Sequence, residues 1–316
     1  MPPTPESFAG SFVLTGPTGS GKSGVALEIA ERIGGEILAL DSMTLYRGMD
    51  IGTAKPSAGE RARMPHHLLD LLDPWESANV AWWLERAAEA VQDILARGKR
   101  PIFVGGTPMY LKALICGLFE APPANLELRA KWEAEAERIG REALHARLAA
   151  VDPVAAAKLH FNDVRRVVRA LEVYESTGTP ISSLQQTWDK APANIPAVRI
   201  EWPREELNRR IDRRVPAMVK AGWLDEVKRL IALPQPLSKE AAQSLGYGEW
   251  LAHLRGEMSL VETVDLIQLR TRQFAKRQGT WFRQMGFLKA VPANGADLAG
   301  RILCAWGNDS APGVNI

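Results

Sequence analysis

Apolar positions in the first third of the chain alternate between two spacings. Ser11–Thr15 (SFVLT) is a short apolar run that stops at glycines, and Glu36–Leu40 (EILAL) and Pro101–Val104 (PIFV) repeat the form. Runs of this length bounded by turn residues predict buried strands. Between the first two, Ser23–Ile33 puts Val25, Ala26, Ile29, Ala30 and Ile33 on one helical face, and Gly34-Gly35 ends it. Ala78–Arg97 predicts a long helix stopped by Gly98, and His67–Leu72 (HLLDLL) a further strand. Strands alternating with helices predict βαβ units on a parallel sheet.

The pattern changes near Ala121-Pro122-Pro123. From Leu126 to about Ser183 no strand is indicated, and Arg129–Leu148 and Asp163–Glu175 read as charged, amphipathic helices. Thr187–Pro196 reads as a linker, Ala197–Glu201 (AVRIE) as a returning strand, and the chain is then helical to about Arg283. The tail from Asn294 is weakly patterned and is expected at the periphery. This order predicts a helical block inserted into an α/β core, with the core at residues 1–121 and 198–316 and the insertion at 122–197.

Composition changes the picture little. The 316 residues suggest about two domains. Lys+Arg 39 less Asp+Glu 37 gives +2, so any basic surface is local. Cys116 and Cys304 are too few for a disulfide framework, and they have no partners at metal-ligand spacing. They predict reduced thiols and a cytoplasmic protein. No leader-like apolar segment and no membrane-length apolar run is present. Most of the ten Trp are expected in the core.

Chemistry enters with Gly16-Pro17-Thr18-Gly19-Ser20-Gly21-Lys22-Ser23, which matches G-x-x-x-x-G-K-[ST] between a predicted strand and a predicted helix. The glycines let backbone N–H groups turn around a phosphate chain, and the helix N-terminus adds its partial positive charge. Lys22 can neutralise phosphate oxygens, and Ser23 can offer a hydroxyl to Mg²⁺. The motif implies a phosphate chain; it does not specify a nucleotide or hydrolysis. With the strand pattern it predicts an α/β fold, a P-loop NTPase-like parallel sheet flanked by helices, carrying the all-helical insertion.

Asp41 ends an apolar strand expected beside the P-loop strand. It can support Mg²⁺ as a Walker-B-like carboxylate, act as a general base on an acceptor, or cap a helix. Gly105-Gly106-Thr107 is a second glycine turn after a strand, and Thr107 can donate to the same anion or cap its own helix. His66-His67 lacks a third ligand and reads as structural.

Residues 270–289 hold Arg270, Arg272, Lys276, Arg277, Arg283 and Lys289 with no acid, and Phe274, Trp281, Phe282 and Phe287 interleave. Lys158–Arg169 has four cations against Asp163. Such segments suit a polyanion, with aromatic faces for bases. A solvated helix with an apolar side in the core explains the same spacing.

Together the segments resemble the tRNA dimethylallyltransferase, or tRNA isopentenyltransferase, family. The matching blocks are GPTGSGKS (16–23), LDSMTLYRGMDIGTAKP (40–56), PHHLLDLLDP (65–74), FVGGTPMYLKAL (103–114), VDPVAAAKLHFNDVRRVVRALEVY (151–174) and TRQFAKRQGTWFR (271–283). The resemblance implies transfer of a dimethylallyl group from its diphosphate to N6 of the adenosine just 3′ of the anticodon, in tRNAs reading codons that start with U. The P-loop would bind the isoprenyl diphosphate, with Mg²⁺ as cofactor, and the partner would be a tRNA anticodon stem-loop. A monomer is expected.

Carried over position by position, Asp41 resembles the general base, Thr107 a donor to the bridging oxygen, and Lys22 a catalytic cation. Gly16 to Ser23 and Arg166 resemble the diphosphate site, with Ser23 the metal ligand. Asp41, Ser42, Met43, Thr44, Thr107, Arg129, Arg165, Arg166 and Arg169 correspond to tRNA-contacting positions, and Arg272, Lys276 and Arg277 join them from the basic segment. Three departures stand out. Gly19 replaces a frequent Ala and is expected to loosen the loop. Gly248 replaces a basic residue, and Gly279 an aliphatic one. A free-nucleotide prenyltransferase, a small-molecule kinase and a non-catalytic RNA-binding module are the alternatives. The basic segments weigh against the first.

Overall fold

A computed structural model describes residues 2–119, 122–185 and 193–307. The chain runs through β1 (Phe12–Thr15), α1 (Lys22–Ile33), β2 (Gly35–Leu40), α2 (Ala58–Arg63), β3 (His66–His67), α3 (Val80–Ala96), β4 (Arg100–Gly105) and α4 (Pro108–Cys116). Five helices follow: α5 (Leu126–Ile139), α6 (Arg141–Val151), α7 (Pro153–Lys158), α8 (Val164–Thr177) and α9 (Ile181–Leu184). The last stretch holds β5 (Ala197–Glu201), α10 (Arg204–Lys220), α11 (Trp223–Ile231), α12 (Lys239–Ala242), α13 (Tyr247–Leu254), α14 (Leu260–Gln284), β6 (Lys289–Pro292) and α15 (Leu298–Ala305).

Two compact units result, Met1–Ile115 with Ala193–Ile316, and Cys116–Pro192. In the first, the six strands form one sheet in the order β3-β2-β4-β1-β5-β6, with every neighbour parallel. The return seam lies ahead of β5. Ala193 N–H donates to Ile115 O at 2.9 Å and Val13 N–H to Pro196 O at 2.9 Å, so the approach to β5 already belongs to the sheet unit. Residues 187–192 of the predicted linker lie outside the described residues.

The strand of Asp41 is not beside the P-loop strand, as the sequence had suggested: β4 lies between them. The chain skips one place after β1 and fills it later, while β5 enters on the other side of β1. This creates a topological switch at the carboxyl ends of the strands, where open α/β sheets bind ligands. The register makes those ends level: Gly105 pairs with both Thr15 of β1 and Leu40 of β2.

Three further expectations need correction. The strand expected over His67–Leu72 shrinks to His66–His67 with an isolated bridge from Tyr46 to Leu72. Leu68 and Asp70 take positive φ values of 62° and 56°, which no strand accommodates. Arg129–Leu148 divides at Gly140 into α5 and α6. The described part of the tail, residues 294–307, is not peripheral. Ala299, Ile302, Leu303 and Trp306 pack into the core with Phe12, Leu14, Ile29 and Val198. The Trp306 indole N–H donates to Val13 O at 3.1 Å, and its ring lies 4.9 Å from that of Phe12.

The second unit packs its helices around Leu144, Leu148, Val167 and Leu171. Among its described residues, the most enclosed polar group is Glu172. That carboxylate accepts from Arg129 Nε (2.7 Å), from Arg169 (2.7 Å) and from the Asn125 N–H (2.7 Å). Among the described residues, no helix is long and apolar enough to cross a membrane.

Candidate active site

The phosphate loop begins where β1 ends. Gly21 caps α1 without a side-chain hydrogen bond, so the first N–H groups of the helix are left for an anion. Gly19 sits at φ +81°, in the left-handed region, and a Cβ there would lie 3.0 Å from Ile211 Cγ1. The glycine fits this loop conformation, so the expected loosening does not follow.

The loop is held from behind by residues far along the chain. Trp202 Nε1 donates to Ser20 O at 2.8 Å, and Arg210 Nε donates to Gly19 O at 2.8 Å. The Arg210 guanidinium also stacks over the Trp202 ring at 4.5 Å. Arg214 donates to Thr18 Oγ1 at 3.3 Å, and the Thr18 N–H donates to Gln278 Oε1 at 2.8 Å. In front of the loop lies a cavity of about 590 Å³, lined by Gly19, Gly21, Lys22 and Ser23 and by Arg210, Arg213 and Arg214 of α10. That volume suits a small ligand, and the lining brings four cations.

Electrostatics follow from this crowding. Burial first, and then the charge of Arg214, bring the Lys22 ammonium down to about 8, against the pull of Asp41. Burial raises the Asp41 carboxyl above its ordinary value, opposed by the Met43 N–H and by Lys22. Asp41 Oδ1 accepts the Met43 N–H at 2.9 Å, and Thr44 Oγ1 donates to the Asp41 carbonyl at 3.3 Å. Asp41 therefore closes a turn, and no helix follows for it to cap.

The second glycine turn meets the first at this edge. Thr107 N–H donates to Leu40 O at 3.2 Å, and Thr107 Oγ1 accepts the Ser42 N–H at 3.2 Å. Thr107 thus touches the Asp41 loop directly. Tyr110 lies one helical turn on, stacked on Trp83 at 4.5 Å. Burial and the Asp41 charge raise its hydroxyl pKa, which keeps it neutral. The far end of the Asp41 loop is anchored on Glu226, which accepts the N–H groups of Asp50 (2.9 Å) and Ile51 (2.7 Å).

The basic positions divide by surroundings. Within α14, Arg270 pairs with Glu249 and Arg272 with Asp212, so the segment without acids borrows them from other helices. Lys276 and Arg277 are exposed, with Arg277 5.9 Å from the Phe274 ring. In the helical unit, Arg129 and Arg169 face Glu172, whereas Arg165 and Arg166 are exposed, Arg166 beside Asp163 at 3.4 Å. His66 and His67 are tied to Met64 O and Glu36, each at 2.7 Å, as structural residues. Among the described residues, no group of three or more His, Cys, Asp or Glu could hold a metal ion.

Sequence reading missed Trp202, Arg210, Arg213, Arg214 and Gln278. The arginines did leave a signal, two Arg pairs four residues apart in RRIDRR, but Glu205, Glu206 and Asp212 offset their charge along the chain.

Comparison with known proteins converges on one group. A model of the IPP transferase family matches residues 44–285. The chain is 51% identical over 274 residues to the tRNA dimethylallyltransferase of Geobacter metallireducens, covering 86% of this chain and 89% of that one. It resembles the crystal structure of the full-length tRNA isopentenylpyrophosphate transferase of Bacillus halodurans (TM-score 0.67, 36% identity, 94% and 95% of the two chains). It also resembles a eukaryotic dimethylallyltransferase solved acting on tRNA (TM-score 0.75, 28% identity, 93% and 77%). The level edge of two glycine turns and a carboxylate is therefore the work of a sequence that belongs to the IPP transferase family.

Proposed function

We propose that this enzyme transfers a dimethylallyl group from dimethylallyl diphosphate to N6 of the adenosine just 3′ of the anticodon, in tRNAs reading codons that begin with U. One observation carries the reading. A cationic cavity fit for a leaving diphosphate opens at the sheet edge where Asp41 and Thr107 also end their strands. Its relatives, a tRNA dimethylallyltransferase and a tRNA isopentenylpyrophosphate transferase, support the prenyl-to-tRNA part of the reading.

In the transfer, N6 attacks C1 of the allyl group, the C1–O bond breaks, and its electron pair leaves with the diphosphate. The N6 proton passes to Asp41. Burial raises the basicity of that carboxylate, while Lys22 favours its ionised form. Lys22, Arg214 and the N–H groups at the start of α1 stabilise the charge on the leaving group. Because Thr107 Oγ1 already accepts the Ser42 N–H, its own hydrogen is available to the bridging oxygen.

Ser23 would hold Mg²⁺ together with the diphosphate oxygens. Ser23 lines the cavity, where substrate phosphate oxygens would supply most of the remaining ligands. When bound, it neutralises charge on the leaving group.

The target base must leave its stack to reach Asp41. Ser42, Met43 and Thr44 would line its entry. Arg165, Arg166 and, around Glu172, Arg129 and Arg169 would meet the RNA from the helical unit. Arg272, Lys276 and Arg277 would meet it from α14. The enzyme would act as a cytoplasmic monomer.

The test is a single-turnover incubation of the protein with radiolabelled dimethylallyl diphosphate, Mg²⁺ and bacterial tRNA, with AMP in a parallel tube. Label in the tRNA fraction alone is expected. Label in AMP alone would move the acceptor to free nucleotides, and label in neither would sink the donor assignment.

A further inference from the structure

The two glycine turns are joined by one side chain from outside both motifs. Gln278 of α14 is buried, at 3% exposure. Its Oε1 accepts the Thr18 N–H at 2.8 Å, and its Nε2 donates to Gly106 O at 2.6 Å. The backbone fixes the orientation of the amide: Thr18 offers a donor and Gly106 an acceptor, so a flipped amide would face like with like. The approach is close, since a Cβ on Gly106 would stand 2.6 Å from Nε2. A glycine at 106 and a glutamine at 278 are thus parts of one contact.

The same helix is tied to the arginine-bearing α10. Arg272 pairs with Asp212, and Gln268 Nε2 donates to Asp212 O at 3.0 Å. The Gln278 contacts therefore have a braced support. The geometry points to Gln278 as a positioning residue for the transfer: it sets the gap between the phosphate loop and the Thr107 turn, and with it the approach of the leaving oxygen to the Thr107 hydroxyl. Gln278 acts through the backbones of Thr18 and Gly106. With the Thr18 N–H engaged, the diphosphate is left to the later N–H groups of the loop and to the cationic side chains. This role rests on the reading that the P-loop holds the diphosphate of the donor.

Two variants separate positioning from packing. Gln278→Leu removes both hydrogen bonds. Gln278→Glu keeps an acceptor for Thr18 but turns a carboxylate oxygen against Gly106 O. A carboxyl buried there binds a proton more readily than usual, and its protonated form donates to that carbonyl, which restores the bridge. Single-turnover rates and donor KM are measured at saturating tRNA from about pH 6 to about pH 8.5, with thermal melting followed in parallel.

Gln278→Leu is expected to lower the single-turnover rate ~100-fold, as a misplacement of about 1 Å can do, with a smaller change in donor KM. Gln278→Glu is expected to lose ~10-fold at neutral pH, and its rate relative to wild type to recover at least about threefold as the pH falls. If Gln278→Leu does not fold, Gln278→Glu alone carries the test. Rates within about twofold of wild type, or a ratio for Gln278→Glu that stays flat with pH, would overturn the role. A wild-type enzyme that transfers nothing from this donor overturns the reaction assignment itself, and that result is read before any variant.

Discussion

Replacing Lys22 by Met should make the unliganded protein more stable while weakening donor binding. The ordinary lysine value of 10.5 falls to about 8 in the folded chain, and at about 1.4 kcal/mol per pH unit this amounts to ~3 kcal/mol. Both folded and unfolded chains hold the proton below pH 8, so the full penalty applies at neutral pH. Between about 8 and 10.5 the unfolded chain holds the proton that the folded one has lost, and wild-type stability rises with pH through that window. Lys22→Met has no such group. Its advantage in urea unfolding should approach ~3 kcal/mol at pH 7, an upper limit because the pocket is open to water, and fade by about pH 10.5. Calorimetry with dimethylallyl diphosphate, without tRNA, should show a loss of ~100-fold in affinity, the worth of a strong charge-assisted contact. The wild type should take up a proton on binding above pH 8. A Lys22→Met protein no more stable than wild type at pH 7, or an advantage independent of pH, would refute the reasoning.

Other expectations follow from the packing. Glu172→Ala leaves Arg129 and Arg169 facing an empty site, and circular-dichroism unfolding should show a loss of ~3–5 kcal/mol. Trp306→Ala removes a buried indole and its bond to Val13 O, and should cost ~3–5 kcal/mol in urea unfolding. At Gly279 a Cβ would meet only the tip of Arg283 at 3.5 Å. Gly279→Ala should therefore add ~0.5–1 kcal/mol to stability, and no gain in urea midpoint would contradict that reading.

How much of this was visible in the sequence depends on the kind of information. The phosphate loop, Asp41 and Thr107 announce themselves because each follows an apolar strand, and level strand ends bring them together. Strand order is not written in any apolar run, so the place of β4 between β1 and β2 had to come from the structure. The final helix was legible in principle: Ala299, Ile302, Leu303 and Trp306 fall at helical spacing, but α15 has only eight residues. Leu68 and Asp70 look like strand residues, yet Asp70 is held in a turn by Lys55 and by Arg61 at 2.7 Å. Gln278 carries no charge and was visible only as one position of the TRQFAKRQGTWFR block, and its two partners lie 260 and 172 residues away. Only the fold reveals its contacts.

The most direct test of the central claim is the position of the transferred group. Bacterial tRNA lacking the modification would be incubated with the protein, dimethylallyl diphosphate and Mg²⁺, digested, and read by mass spectrometry. One added C₅H₈ unit is expected, on N6 of the adenosine just 3′ of the anticodon, and it should be lost with Asp41→Asn. An unmodified adenosine there, or the group on any other nucleotide, would contradict it.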